Sequence, residues 1–467
     1  MVNGIINQDD RNFFKELIGS EFVIIDPQSC EAYGRDETED FCFPPGIVLK
    51  PSKTEQVCAI LAYCNDREIP VTPIGGRTGL SGGALSVKGG VGLSMQRFNR
   101  IIEIDEKNLQ VTVEPGVITQ VLQEEVAAKG LFYPPDPSSS GTCFIGGNLA
   151  ENSGGPKAVK YGVTREYVLN LEVVLANGQV IWTGANVLKN STGYSLTHLM
   201  VGSEGTLGII TKAVLKLLPL PKLNVLLLVP FYKAEDACEA VAAVFNAGIV
   251  PSAMEFMERD AIDWVRRFDD QIQVEIQDGV AAHLLIELDG NQLETLQQEA
   301  GTLAEVINRF QTAEILYAED EAQKQTLWRM RRRVAEAVKS NSVYKEEDTV
   351  VPRYELPKLL SGVKEIGNRY GFKSVCYGHA GDGNLHVNII KGDLSEEVWN
   401  GSVKQAIREI FNLVKSLKGT LSGEHGIGLV QKEFMDIQFP EHHLSLFRGI
   451  KNTFDPKGIL NPGKIFD

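Results

Sequence analysis

The chain has 467 residues, 43% of them hydrophobic and 23% charged, with a formal net charge of -15. That length exceeds what one hydrophobic core ordinarily supports, so two or more domains are expected, and the composition excludes a disordered chain. The acidic balance argues against a nucleic-acid binder and against electrostatic attachment to an anionic membrane, since each needs a basic face.

The seven cysteines (Cys30, Cys42, Cys58, Cys64, Cys143, Cys238 and Cys376) are scattered and form no C-x-x-C pair. This pattern fits a reducing compartment and excludes a ferredoxin-type iron-sulfur cluster. The residues after Met1 lack a basic region followed by an apolar run, so no secretory signal is expected. Among the most apolar runs is Val225 to Val229, far short of the roughly 20 residues that span a membrane.

Taken in order, the chain opens with an amphipathic segment from Asn12 to Ile18, apolar at Phe13, Phe14, Leu17 and Ile18. A β-α-β unit follows: a strand at Ile47 to Lys50, a helix at Thr54 to Asp66 carrying Val57, Ile60, Leu61 and Cys64 on one stripe, and a strand at Ile69 to Ile74. This last strand runs into a glycine-rich loop, Pro73-Ile74-Gly75-Gly76-Arg77-Thr78-Gly79-Leu80. Successive backbone N–H groups in such a loop can cradle a pyrophosphate, although one such loop alone is more often a flexible turn.

Two more glycine-rich stretches follow. One runs from Pro137, Ser138 and Ser139 through Thr142, Gly146 and Gly147 to Asn152, Gly154 and Gly155; the other contains Glu204, Gly205 and Ile209, after a strand at Leu171 to Ala176 and an Asn177-Gly178 turn. Three loops within one region point to a long phosphate-bearing ligand. No G-x-G-x-x-G follows a strand, which argues against a nicotinamide cofactor on a Rossmann unit.

Farther along, strands are expected at Asn224 to Phe231, Ala281 to Leu288 and Glu314 to Tyr317, with helices at Glu235 to Ala247 and Gln292 to Phe310. Alternation of this kind suits an α+β sheet covered on one face. The Arg329 to Arg333 segment is basic in an acidic chain; it is ordinarily a solvated helix face, unless a substrate carboxylate gives Arg331 a reason to turn inward.

Two separate segments then bring together metal-binding and proton-transferring side chains. In Gly378-His379-Ala380-Gly381-Asp382-Gly383-Asn384-Leu385-His386, turn chemistry folds His379 back towards His386, and a strand from Leu385 to Ile390 puts His386 and Asn388 on one face. With Glu424, from Gly423-Glu424-His425-Gly426, the two imidazoles would make a two-His, one-carboxylate site, and His425 could move a proton. H-x6-H is not a specific ligand spacing, so hydrogen-bonded core histidines are an equal alternative on these residues alone.

The three glycine loops, in this order, resemble the FAD-binding domain of the vanillyl-alcohol oxidase superfamily. Asp382-Gly383-Asn384-Leu385-His386, Gly423-Glu424-His425-Gly426 and Asn461-Pro462-Gly463-Lys464 are similar to its FAD-linked D-2-hydroxyacid dehydrogenase branch, which holds D-lactate dehydrogenases, D-2-hydroxyglutarate dehydrogenase and the flavin subunit of glycolate oxidase. The resemblance implies an α+β protein. A two-subdomain FAD-binding domain would occupy residues 1–220, a cap domain 221–424, and a C-terminal segment returning to the FAD domain 425–467. It implies His379, His386 and Glu424 as ligands of a divalent metal, usually zinc, and His425 as the base. Arg331 and Asn388 would hold substrate, and the flavin would lie against the loop residues named above and Asn461. The 2-hydroxyglutarate enzymes place a substrate lysine near Lys345, but its spacing to Asp348 here is one residue off. Covalent flavin attachment in this family uses a histidine in the first loop; Gly76-Arg77-Thr78-Gly79 has none, which implies non-covalent FAD.

The expected reaction is oxidation of a small D-2-hydroxy acid, D-lactate or glycolate favoured, to the 2-oxo acid, by hydride transfer or through a carbanion. D-2-hydroxyglutarate oxidation and a flavin subunit of a larger complex are the alternatives within the resemblance, and a metal-dependent hydrolase is the alternative outside it. Expected partners are the substrate and an electron acceptor, whether electron-transferring flavoprotein, quinone, cytochrome or an iron-sulfur protein. A homodimer is one open assembly. The expected location is the cytoplasm, with peripheral attachment at an inner membrane as the alternative.

Overall fold

The computed structural model describes residues 6–38 and 41–466. The chain forms two compact units: Met1–Gly154, Val163–Leu220 and Glu424–Asp467 make the first, Gly155–Gly162 and Pro221–Gly423 the second. This division falls one residue before the expected 424/425 boundary and assigns a short early segment to the second unit.

In the first unit, the helix Thr54–Asp66 has the expected bounds and buries Val57, Ile60, Leu61 and Cys64. Each fully buried side chain of this size is worth about 1.5–3 kcal/mol, so a charge at Leu61 would dislodge the helix. The strands it joins, Ile47–Leu49 and Val71–Ile74, do not pair with each other; Val91–Ser94 lies between them, parallel to both. Val91-Gly92-Leu93-Ser94 was not expected as a strand. Its buried, uninterrupted character is that of a central parallel strand.

A five-stranded antiparallel sheet completes the unit, in the order Ile101–Asp105, Gln110–Val113, Ile209–Lys216, Val168–Val174, Val180–Trp182. The chain's end joins the parallel sheet, where Val71 N–H donates to the Ile459 carbonyl and Asn461 N–H to the Val71 carbonyl. The opening helix is longer than its apolar stripe suggested, Gln8–Ile18, because Asn7 and Asp10 form a capping box before the stripe begins.

The second unit is built on a seven-stranded sheet in the order Leu316–Tyr317, Leu223–Phe231, Ala282–Gly290, Ala253–Glu258, Lys373–Gly378, Asn384–Ile390, Tyr344–Val350. Helices cover both faces, not one. Arg259–Phe268, Glu321–Arg332 and Val334–Asn341 pack on the side of Met257, Leu285, Val375 and Tyr377. Ala234–Asn246 and Leu356–Tyr370 pack elsewhere on the sheet, where Lys364 of the latter helix reaches the Ser374 carbonyl. Ala253–Glu258 and Lys373–Gly378, near the middle of the sheet, account for the difference, since a strand buried on both faces lacks the alternation that marks a half-exposed one.

Candidate active site

The first unit gathers its three glycine loops. A Cβ on Gly76 would lie 2.7 Å from the Thr142 carbonyl oxygen, and one on Gly205 would overlap the Pro73 ring, so the first loop meets the second and third with no room for side chains. At Gly79 and Gly147 a Cβ would meet nothing within 4 Å. Backbone that opens onto space beside tightly converged loops is a fit for a phosphate-bearing cofactor.

The other loop positions divide by role. Pro137, Ser138, Ser139 and Thr142 form a turn in which Ser139 O accepts from Thr142 and Cys143 N–H, each at 2.8 Å. Gly146 and Gly147 lie in the helix Ile145–Glu151, which Asn152 ends in the left-handed conformation. Thr78 and Leu80 lie in the first loop, and Gly154 is buried beyond Asn152. Ile209 is a core residue, and Gly155 falls in the second unit.

Three of the residues expected to touch the flavin also hold the protein together through their side chains. Arg77 donates to the Ala32 carbonyl, with its guanidinium carbon 4.9 Å from the Tyr33 ring centroid. Glu204, at φ 51°, accepts N–H bonds from Ile427 at 2.8 Å and Gly428 at 2.7 Å. Asn461 donates to the Gly83 and Glu204 carbonyls at 2.9 and 2.8 Å. The Glu204 carboxylate therefore clamps the turn that directly follows Glu424 and His425.

Beneath that turn lies a carboxyl cluster that sequence reading missed. Burial pushes Glu204 up to about 7 against the two N–H groups and Lys464. Burial, then the charge of Glu204, raises Glu151 well above the ordinary range. Burial lowers Lys464 to about 8 against the pull of Glu204, Asp36 and Glu151. Two carboxyl groups this close cannot both ionise cheaply. The sequence marked Glu204 as a residue of the third loop but not its pairing with Glu151, which looks like an ordinary acid at a helix end.

In the second unit the hairpin Lys373–Gly378, Asn384–Ile390 does what its turn sequence predicts. Gly383 is at φ 78°, where a Cβ would strike the Val351 carbonyl oxygen. His379 and His386 end with ring centroids 5.4 Å apart, and a nitrogen of each ring lies within 4.8 Å of the other. Both are buried, as is Asn388. The neighbouring strand Ala253–Glu258 supplies a residue the sequence did not reveal: Glu255 Oε2 lies 2.8 Å from His379 Nδ1 and 2.7 Å from Arg331 Nη2. Burial alone would raise the Glu255 carboxyl, but His379 first and then Arg331 hold it below its usual range.

Arg331 is thus turned inward, 3% exposed, with its guanidinium carbon 5.2 Å from the Tyr377 ring centroid. Its Nε and Asn388 Oδ1 are buried without hydrogen-bond partners. Buried polar atoms in this state call for a partner, which a bound substrate or an ordered water can supply. His386 Nδ1 lies 3.3 Å from Glu346 Oε1. Asp348, opposite His386, accepts from Asn384 Nδ2 at 2.7 Å, Ser422 Oγ at 2.9 Å and Gly423 N at 2.8 Å. Lys345 is not part of this face; it pairs with Ile389, one residue out of phase, and its Nζ lies 5.2 Å from the Trp399 ring centroid.

The donor set fits a divalent metal. A ligating histidine typically gives its second ring nitrogen to a carboxylate, as His379 does to Glu255. Two imidazoles with a carboxylate accept zinc, manganese or iron.

The solved structures that this fold resembles include p-cresol methylhydroxylase, with a TM-score of 0.77 at 19% identity over 99% of this chain and 98% of that one. They also include 4-ethylphenol oxidase from Gulosibacter chungangensis, with a TM-score of 0.76 at 20% identity over 98% and 96%. At these identities the likeness shows a shared fold of two units, one of them carrying the converging loops. Residues 45–184 match the FAD binding domain and residues 220–465 the FAD linked oxidases, C-terminal domain. The chain belongs to the FAD-linked oxidase family. Curated relatives include the glycolate oxidase subunit GlcD of Bacillus subtilis, 38% identical over 93% of this chain and 92% of that one. D-lactate dehydrogenase of Anaerostipes hadrus is 37% identical over 97% and 96%, and D-2-hydroxyglutarate dehydrogenase of Stutzerimonas stutzeri 32% over 97% and 97%. Among the described residues no helix is long and apolar enough to cross a membrane.

Proposed function

We propose that this FAD-linked oxidoreductase oxidises a small D-2-hydroxy acid, D-lactate or glycolate, to the 2-oxo acid. Residues 1–220 and 425–467 hold non-covalent FAD, and residues 221–424 supply the substrate face. One observation carries the reading: Glu255 joins His379 and Arg331 in a buried cluster, so a site for a metal and a site for a carboxylate are built as one piece.

His379, His386 and Glu424 would hold a divalent ion, zinc by preference. FAD supplies the two-electron acceptor, and the ion supplies Lewis acidity towards the substrate hydroxyl. Arg331 takes the substrate carboxylate through the guanidinium edge that Glu255 leaves available. Asn388 Oδ1 accepts the hydrogen bond that fixes the hydroxyl. His425 removes the hydroxyl proton while the Cα hydrogen leaves with its electron pair, which leaves the 2-oxo acid. Glu204 keeps the turn that follows His425 in place.

The test is anaerobic bleaching of the yellow protein by a panel of D- and L-2-hydroxy acids. Bleaching by D-lactate or glycolate supports the proposal, and a yellow protein that no 2-hydroxy acid reduces would sink it. His386→Ala should lose metal and turnover while staying yellow; full turnover by this variant after chelation would refute the metal.

A further inference from the structure

The strand Tyr344–Val350 is charged along much of its length, and the two-residue period decides which charge meets the substrate face. Its register against Asn384–Ile390 sets Tyr344 opposite Ile390, Glu346 opposite Asn388 and Asp348 opposite His386. These side chains therefore share a face with His386 and Asn388. Lys345 and Glu347 alternate to the other face, opposite Ile389 and Val387.

The charges on the substrate face can be matched in turn. Glu255 is answered by Arg331 and His379, and Asp348 by three hydrogen-bond donors. Glu346 has His386 Nδ1 at 3.3 Å, its side chain is 9% exposed, and no Lys or Arg pairs with it among the described residues. After burial, its charge is the largest influence raising the Tyr377 hydroxyl, which places its negative field at the ring lying between His386 and Arg331.

Resting on the reading above, we infer that Glu346 is a specificity-determining residue: a fixed negative charge on the substrate face that rejects 2-hydroxy acids bearing a second carboxylate. Among the described residues Arg331 is the guanidinium in this cluster, and it already pairs with Glu255. A second substrate carboxylate would meet Glu346, with which no Lys or Arg pairs among the described residues, while Arg331 and the proposed metal are engaged by the first carboxylate and the hydroxyl. Like charges brought together in a partly desolvated site discriminate by on the order of 100-fold or more. A short apolar or hydrogen substituent on Cα incurs no such repulsion.

The experiment compares kcat/KM for D-lactate, glycolate and D-2-hydroxyglutarate on the FAD- and metal-loaded protein and on Glu346→Gln, Glu346→Lys and Lys345→Ala, with flavin and metal content read for each. Wild type should prefer the short acids. Glu346→Gln should narrow the lactate-to-hydroxyglutarate ratio by about tenfold, Glu346→Lys by about 100-fold, and Lys345→Ala should leave it unchanged. The inference fails if both Glu346 variants keep the wild-type ratio, if wild type prefers hydroxyglutarate, or if Lys345→Ala alone abolishes hydroxyglutarate turnover. Metal loss from Glu346→Gln with equal loss on all substrates would make Glu346 a ligand and also overturn it. Failure of wild type to be reduced by any 2-hydroxy acid would instead sink the underlying functional reading.

Discussion

Glu255 in the second unit is fully buried, and in the first Glu204 is nearly so with Glu151 partly buried beside it, yet the carboxyl groups are driven in opposite directions. His379 and Arg331 keep Glu255 ionised, whereas Glu151 and Glu204 are pushed up, the former partly by the latter. Burial sets the cost of a charge, and the partners decide whether the charge survives. One carboxylate pairs with Arg331 and His379; the other two, close together beside a turn, are both raised.

The largest expected effect separates the two directly. Glu255→Gln removes the carboxylate that pairs with Arg331 and with the His379 ring and should lower unfolding stability by about 3–5 kcal/mol. Glu151→Gln replaces a carboxyl whose ionisation burial and Glu204 already oppose and should cost less than about 1 kcal/mol. Urea titration of the flavin-loaded variants measures both, and equal costs would break the comparison.

A second contrast sharpens what the Glu151–Glu204 pair does for chemistry. His425→Ala should slow flavin reduction by about 100- to 10,000-fold, the usual size of a general-base effect, with FAD retained. Glu204→Gln keeps an oxygen to accept one of the two N–H bonds, so the turn is weakened rather than released, and stopped-flow reduction should slow by less than about tenfold. A loss as deep as that of His425→Ala would mean that the Glu204 proton takes part in the reaction.

The third concerns pH. Because the folded pKa of Glu204 is raised to about 7 from 4.5, its protonated form favours folding. That contribution is whole below pH 4.5 and is lost as pH rises through about 7. The difference in melting temperature between wild type and Glu204→Gln should therefore shift against wild type across this window. A flat difference would mean that Glu204 titrates normally.

The smallest effect is expected at His283, which burial lowers to about 4 from 6.5. A depressed histidine must be charged on unfolding, so it costs stability as pH falls from 6.5 towards 4. His283→Leu should become relatively more stable than wild type on acidification through that range, as read by melting temperature.

Legibility followed local physics. The Thr54–Asp66 helix and the His386 strand could be read because stripe, turn and period act within a few residues of each other. Glu255 could not, since Ala253-Met254-Glu255-Phe256-Met257-Glu258 has neither β-branched residues nor an uninterrupted apolar run, and its acid becomes meaningful only against His379 and Arg331, more than seventy residues away in sequence. The face that Lys345 takes was illegible for a related reason. Tyr344-Lys345-Glu346-Glu347-Asp348 resembles a solvated charge run, and only the pairing register reveals which charges alternate inward.

The segment Gly155–Gly162 bears on how such a protein could be divided. Lys157 pairs with Glu287, Lys160 with Asp289 at 2.6 Å, and the Tyr161 hydroxyl donates to Asp289 at 2.8 Å. A recombinant fragment beginning at Pro221 would leave two acids on the strand Ala282–Gly290 without these partners. The second unit is therefore not a cassette that gene fusion or recombination could lift out at one cut; the eight-residue strap must travel with it, and natural or engineered shuffling of its substrate face is confined to exchanges that keep both crossings of the chain.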